Sequence, residues 1–321
     1  MQVIEENIPE NSKTSIFCAT ILTSNHKKGL ASMPNRWLSN LLEPLLIIMG
    51  IILVSAGSGV FQNQTPSLLT YWDSLRKVAA ELSQPFQLVY INPLSDVERE
   101  LFPIIFTAFL SSAKIVFLAL IIAISASVLM LVIYYSAGKW LKGTIKSFSF
   151  LVSSLPDIFI ISALQIFVIW FFKQSGILLI DVASAGENQV ILFPAVTLSI
   201  LPAFFFLGLM VSFIKEEEGM PYVELARGKG LTKYKLLFIH IIRNILISLT
   251  YHSKQIVWMM LSNLLILEYL FNVFGVTAFL FTYNTPSIFA ITAILLFLPI
   301  YILLKGMQFL VKRRIGKEMS L

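Results

Sequence analysis

The chain has 321 residues, of which 57% are hydrophobic and 13% charged, with a mean hydropathy of +0.81; that apolar share excludes an ordinary soluble domain and marks an integral membrane protein. Its net charge of +6 does not indicate a nucleic-acid binder, because the basic residues fall on alternate loops between apolar stretches instead of on one continuous face. Cys18 is the single cysteine, so no intrachain disulfide can form, and it reads as an inert thiol in a polar tail.

Crossing a hydrocarbon core of about 30 Å takes about 20 apolar residues. Six stretches qualify in chain order: 41–61, 109–135, 147–172, 191–214, 255–274 and 287–310. Residues 1–40 form a polar tail, too long and ill-formed for the charged segment of a secretory signal, and Ser55 to Gly59 is a weak cleavage site, so the first stretch reads as a retained span. Residues 62–102 are neither apolar enough to span nor repetitive; with Asp73, Glu81, Asp96, Glu98 and Glu100 they read as a mildly acidic cap of helix or loop. The core of the remaining five spans covers 103–311, followed by a tail at 312–321. Four Lys or Arg lie in 1–40, three in 136–146, seven in 215–254 and five in 305–321, together 19 of 24. Positive charge marks the inner side. Both termini and the loop 215–254 are therefore expected in the cytoplasm and 62–102 outside, and the fold class is an all-α integral membrane protein with six transmembrane helices.

The loop 215–254 carries the most information. Met220 to Lys229 reads as a short helix with Pro221 in its first turn; Gly228 and Gly230 break it, and Thr232 can cap a second helix from Lys233. Leu236, Leu237, Ile241, Ile242 and Ile245 follow at helical spacing and leave Lys233, Lys235, His240 and Arg243 on the polar side, so the second helix is expected to run along the membrane surface into the fifth span. Such an elbow is rigid enough to transmit force.

These residues resemble the inner permease subunits of ABC importers of type I, within the dipeptide, oligopeptide and nickel branch. Glu224, Ala226 and Gly230 fit the general importer loop motif; Ala226, Arg227, Lys229, Gly230, Leu231, His240, Arg243 and Asn244 fit the branch pattern, and Tyr222 joins them as a coupling-loop candidate. Leu225 replaces an Ala, Gly228 stands for the usual Ala and Ser248 for a common Pro. Glu268, Phe271 and Gly275 are similar to the residues that end the family's next span, and Pro156 to the Pro that opens a middle one. The likeness covers residues 100 to 318, and 1 to 99 match poorly. It implies half of a translocation pore for bacterial plasma-membrane import of peptides, with no catalytic residues. It also implies a cytoplasmic coupling helix that docks on a separate ATPase and drives alternating access. The implied partners are a second permease, two ATP-binding subunits that hold ATP and Mg, an extracellular binding protein and membrane lipid, and no cofactor or metal is bound by this chain. The alternatives are a permease for nickel or a metal chelate, and a transport-incompetent membrane scaffold or sensor on the same fold.

The residues themselves agree that ATP is hydrolysed elsewhere. Gly228-Lys229 and Gly138-Lys139 lack the glycine spacing and the Ser or Thr of a phosphate-binding loop. An intramembrane metalloenzyme is disfavoured because no His-Glu-x-x-His pattern occurs and His240 and His252 are too far apart to share a helix face. Ionisable groups within spans are functional candidates by default. Lys114 and Lys254 read as snorkelling near span ends, Asp157 either as a helix cap or as a pore-lining group, and Glu268, with Phe271 and Gly275, as a pore or gate candidate.

Overall fold

A computed structural model describes residues 36–62, 67–91, 97–185, 189–283 and 285–315. Cys18, most of the N-terminal tail and the end of the chain lie outside these. The chain divides into two units, Met1–Gly50 and Ile51–Leu321. The described part of the first, 36–50, is helical and contains Pro44. It is the start of α1 (Arg36–Gln62), whose remainder opens the second unit.

The second unit continues with α2 (Leu68–Ser83), a 3₁₀ turn at Pro85–Gln87, and a hairpin of β1 (Val89–Ile91) and β2 (Glu98–Glu100). Then come α3 (Leu101–Ser136), α4 (Lys139–Ser154), α5 (Asp157–Ser175), α6 (Leu192–Glu218), α7 (Pro221–Gly228), α8 (Lys233–Leu270), α9 (Val276–Thr282) and α10 (Pro286–Ile315). Among the described residues, six helices are long and apolar enough to cross a membrane: Leu42–Val60, Leu101–Ser136, Asp157–Ser175, Leu192–Glu218, Lys233–Leu270 and Pro286–Val311.

Besides α3, which begins at Leu101 ahead of the expected 109, three boundaries differ from the sequence reading, each for a local reason. The stretch 147–172 is interrupted: Leu155 is extended at ψ 142° ahead of Pro156, so α4 ends and α5 begins at Asp157. Proline excludes the helical conformation from the residue before it and supplies no N–H. The fifth apolar helix begins at Lys233 instead of 255, so the second half of the polar segment 215–254 is the first half of α8. It includes a π-helical stretch at Leu236–Ile241, where the Ile242 N–H donates to the carbonyl of Leu237, five residues back. Five-residue spacing brings Leu236 and Ile241 onto one side, and both are buried, with Leu237. Finally, the segment 62–102 contains a strand pair with register Val89↔Glu100, Tyr90↔Arg99 and Ile91↔Glu98 besides its helix. Tyr90 turns inward onto Phe279 at 5.5 Å and Tyr283 at 4.7 Å between ring centroids, which pins the hairpin to α9.

The core is built on α3 and α6. The buried face of α3 repeats small residues, Ala108, Ser112, Ala119, Ala123 and Ser127, and that spacing lets helix backbones approach closely in an apolar medium. Opposite it, α6 buries Phe206, Leu207, Met210 and Ile214 in one cluster that also takes in Val223 of α7 and Ile256, Met260 and Leu264 of α8. Near the end of α1, Gly59 gives room to α2, since a Cβ there would strike the Ser74 hydroxyl.

Ala119 has no exposed surface. Ala119→Leu is expected to overpack this seam and to cost about 1–3 kcal/mol, read as a fall in the thermal midpoint of the detergent-solubilised protein. Phe117→Leu, at a side chain 58% exposed on the same helix, should leave the midpoint unchanged.

Candidate coupling surface and the buried carboxyl group

The short helix α7 starts at Pro221, whose missing N–H belongs to a turn where amides are unpaired anyway. Its end is a two-bond closure: the Gly230 N–H donates to the Arg227 carbonyl at 2.9 Å and the Leu231 N–H to the Ala226 carbonyl at 3.2 Å. That pattern requires a left-handed residue at the penultimate position, and Gly230 supplies it at φ +78°. A Cβ on Gly230 would meet nothing within 4 Å, so only the backbone conformation demands glycine. Thr232 then caps α8 by accepting from the Lys235 N–H at 3.5 Å.

One face of α7 is buried through Val223 and Ala226, while Glu224, Leu225, Arg227 and Lys229 are exposed. The helix is anchored by two acidic residues at the end of α6. Glu217 Oε2 accepts from the Tyr222 hydroxyl and from Asn244 Nδ2 at 3.3 Å, and Asn244 also donates to the Tyr222 oxygen at 3.3 Å. Glu218 Oε1 accepts from the Tyr135 hydroxyl at 3.4 Å and stands 3.8 Å from Arg227 Nη2. The Tyr234 hydroxyl donates to Ser136 Oγ at 2.8 Å, completing a junction of α3, α6, α7 and α8. Burial, with the hydrogen bond to Glu217 second, pushes the Tyr222 phenol from its ordinary 10.0 up to about 12. The Arg227 pair is solvent-exposed and contributes about 0–1 kcal/mol.

Of the motif residues, Tyr222 and Asn244 therefore converge on Glu217, Arg227 on Glu218, and Ala226, Gly230 and Leu231 in the turn. Glu224, Lys229 and Arg243 point to the surface and His240 is half-buried in the π-helical stretch. Glu217, Glu218, Tyr135 and Tyr234 were not singled out in the sequence. Their signal is the run Glu216-Glu217-Glu218, three acids at the mouth of an otherwise basic segment.

At the opposite end of α8, Glu268 is fully buried. Its carboxyl group accepts from the Ser112 hydroxyl at 2.5 Å, from the Thr277 N–H at 2.9 Å and hydroxyl, and from the Ala278 N–H at 3.0 Å. Ser112 in turn accepts from the Val276 N–H at 2.8 Å. The residue capping α9 is Gly275, which has no side chain, so Glu268 supplies the missing acceptor from another helix. Gly275 is required by space: a Cβ there would land on the Glu268 carboxyl. Phe271 is buried against Phe193 with centroids 5.1 Å apart, and its carbonyl accepts from the Ser184 N–H at 2.9 Å. Gln165 of α5 donates to the Leu270 carbonyl at 3.1 Å. The structure thus gathers Glu268, Phe271 and Gly275 into one interior knot. Asp157 is apart from it: the cap of α5 is Pro156, and Asp157 is the first helical residue, half-exposed, where a carboxylate favours the helix dipole.

Residues 123–317 match the model of the binding-protein-dependent transport system inner membrane component. The chain belongs to this family. The matched stretch, from the second half of α3 to the end of α10, takes in the α7 junction and Glu268, while Ser112 lies ahead of it. The permease is also 25% identical over 190 residues to a dipeptide transport system permease protein of Haemophilus influenzae, an alignment of 52% of this chain that spans 57% of the length of that relative.

Two outcomes are expected of these permease junctions. Glu268→Gln keeps one carbonyl oxygen for the two α9 amides and should be mild, whereas Glu268→Ala strands at least two buried N–H groups at about 1–3 kcal/mol each; thermal midpoints and membrane yield will separate them, and equal loss in both would show that the charge itself holds the knot. Because the Tyr222 pKa is raised on folding, its contribution is present below pH 10 and lost as pH rises towards about 12. Tyr222→Phe should cost about 1 kcal/mol at neutral pH and show a smaller alkaline loss than the unmutated chain between those values.

Proposed function

We propose that the chain is one half of the translocation pore of an ATP-driven importer for short peptides in a bacterial plasma membrane. The observation that supports this best is the mounting of α7: its exposed Leu225, Glu224 and Arg227 form a docking surface, and the helix is bonded by Tyr222 to Glu217 and by Arg227 itself to Glu218, which tie it to the ends of α3, α6 and α8. A separate ATPase subunit, with its own ATP and Mg, grips α7 on the cytoplasmic side, and movement of that subunit turns the long helices as a body. A second permease completes the pore and an external binding protein delivers the substrate. Peptide is favoured as cargo by the name of the Haemophilus relative.

Mild detergent extraction followed by identification of bound chains tests the assembly. An ATPase and a binding protein are expected, and recovery of neither would support a scaffold or sensor instead. Gly230→Val places a β-branched residue at positive φ; it should leave the protein inserted but weaken ATPase recovery and stop peptide uptake. Unchanged uptake would remove the α7 turn from coupling. Cysteines at Glu224 or Arg227, in a Cys18→Ser background, should crosslink to the ATPase with a yield that changes with ATP.

A further inference from the structure

Tyr251 of α8 is followed at three, four, seven and eleven residues by Lys254, Gln255, Trp258 and Ser262, and all five are exposed. The spacing puts them on one helix face. Their depth follows from the two junctions. Asn244 lies level with Glu217 and Glu268 level with Ser112, through the hydrogen bonds between them. Lys254 is ten residues from Asn244 and fourteen from Glu268, about 15 Å and about 21 Å along the axis. A hydrocarbon core of about 30 Å between those polar ends has Lys254 in its middle third. Lys114, two residues from Ser112, is near an edge and can snorkel; Lys254 is too deep for its four-carbon stem to do so.

An ammonium facing lipid at this depth is costly, so intramembrane lysines face a partner or water. Close helix seams in membranes use small residues, as the buried face of α3 does; Tyr, Lys, Gln and Trp hold neighbours apart. We propose that this face is a binding site, within the translocation path, for an anionic solute rich in amides. Lys254 pairs with a free carboxylate, Gln255 and Tyr251 hydrogen-bond to peptide groups, and the Trp258 ring covers an apolar side chain. The carboxyl end of a short peptide has this chemistry. The assignment rests on the permease reading above and names where that cargo is held.

The test uses the transporter purified with its partner chains, in a Cys18→Ser background, and an anionic, water-soluble methanethiosulfonate. Ser262→Cys should react, and Phe117→Cys, on an exposed apolar face of α3, should not. Ala-Ala should slow the reaction at Ser262→Cys by about tenfold at ten times its Kd, while Ala-Ala amide should not. Adding Lys254→Met should abolish that difference, and Lys254→Arg, which keeps the charge, should restore it. No reaction at Ser262→Cys would overturn the water-lined face, and equal protection by both peptides would overturn the carboxylate site. Carboxylate-specific protection without ATP-driven uptake of Ala-Ala by the unmutated transporter would defeat the import reading and leave the site standing.

Discussion

A helix that stops within a packed interior leaves amide groups that water cannot reach, and this constraint governs the end of α8 at Glu268. At one end the chain turns through 271–275 and restarts as α9 with a glycine at the cap. The amides that glycine cannot serve are taken by Glu268, a residue on the preceding helix, and the same carboxyl group reaches Ser112 on α3. One side chain thereby fixes three elements, and the neighbouring Gly275 is small because the carboxyl occupies the space a Cβ would need.

At the other end the backbone is served by the Gly230 turn and the Thr232 cap, and side chains link the helices. Those links are made by hydroxyl and amide side chains to acids at the end of α6. The Gly230 turn closes α7 with backbone bonds alone, which leaves its side chains free to face outward. The exposed face of α7 is thus held mainly by groups outside it, Arg227 alone belonging both to the face and to its anchor on Glu218.

Much of this was legible in the sequence. The apolar stretches, the Gly230 turn and the Thr232 cap follow from composition and local propensity, and Glu268 stands out as an acid in an apolar run. Pro156 reads as the opening of a helix, yet the stretch around it reads as one continuous span, because apolar content does not register a backbone break. The helix from Lys233 and its buried Leu236, Leu237 and Ile241 follow from helical spacing, but its continuity with the fifth span and its π-helical turn do not, because the charges from Lys233 to Lys254 hide the length of the apolar run. The partners of Tyr222 and Glu268 lie 5 and 156 residues away. The Tyr222 pairing is local, whereas that of Glu268 with Ser112 is fixed by how α8 lies against α3, which the repeat of small residues announces but does not place in register.

The unbroken length of α8 has a mechanical consequence. Lys233 to Leu270 is 38 residues, a rod of about 57 Å, with the α7 junction near one tip and the Glu268 knot at the other. A tilt of about 10° about one tip sweeps the far tip through about 10 Å at that length, more than one turn of helix. Small displacements near one tip are in this way geared up with distance along a single element, and the polar face at its middle travels about half as far.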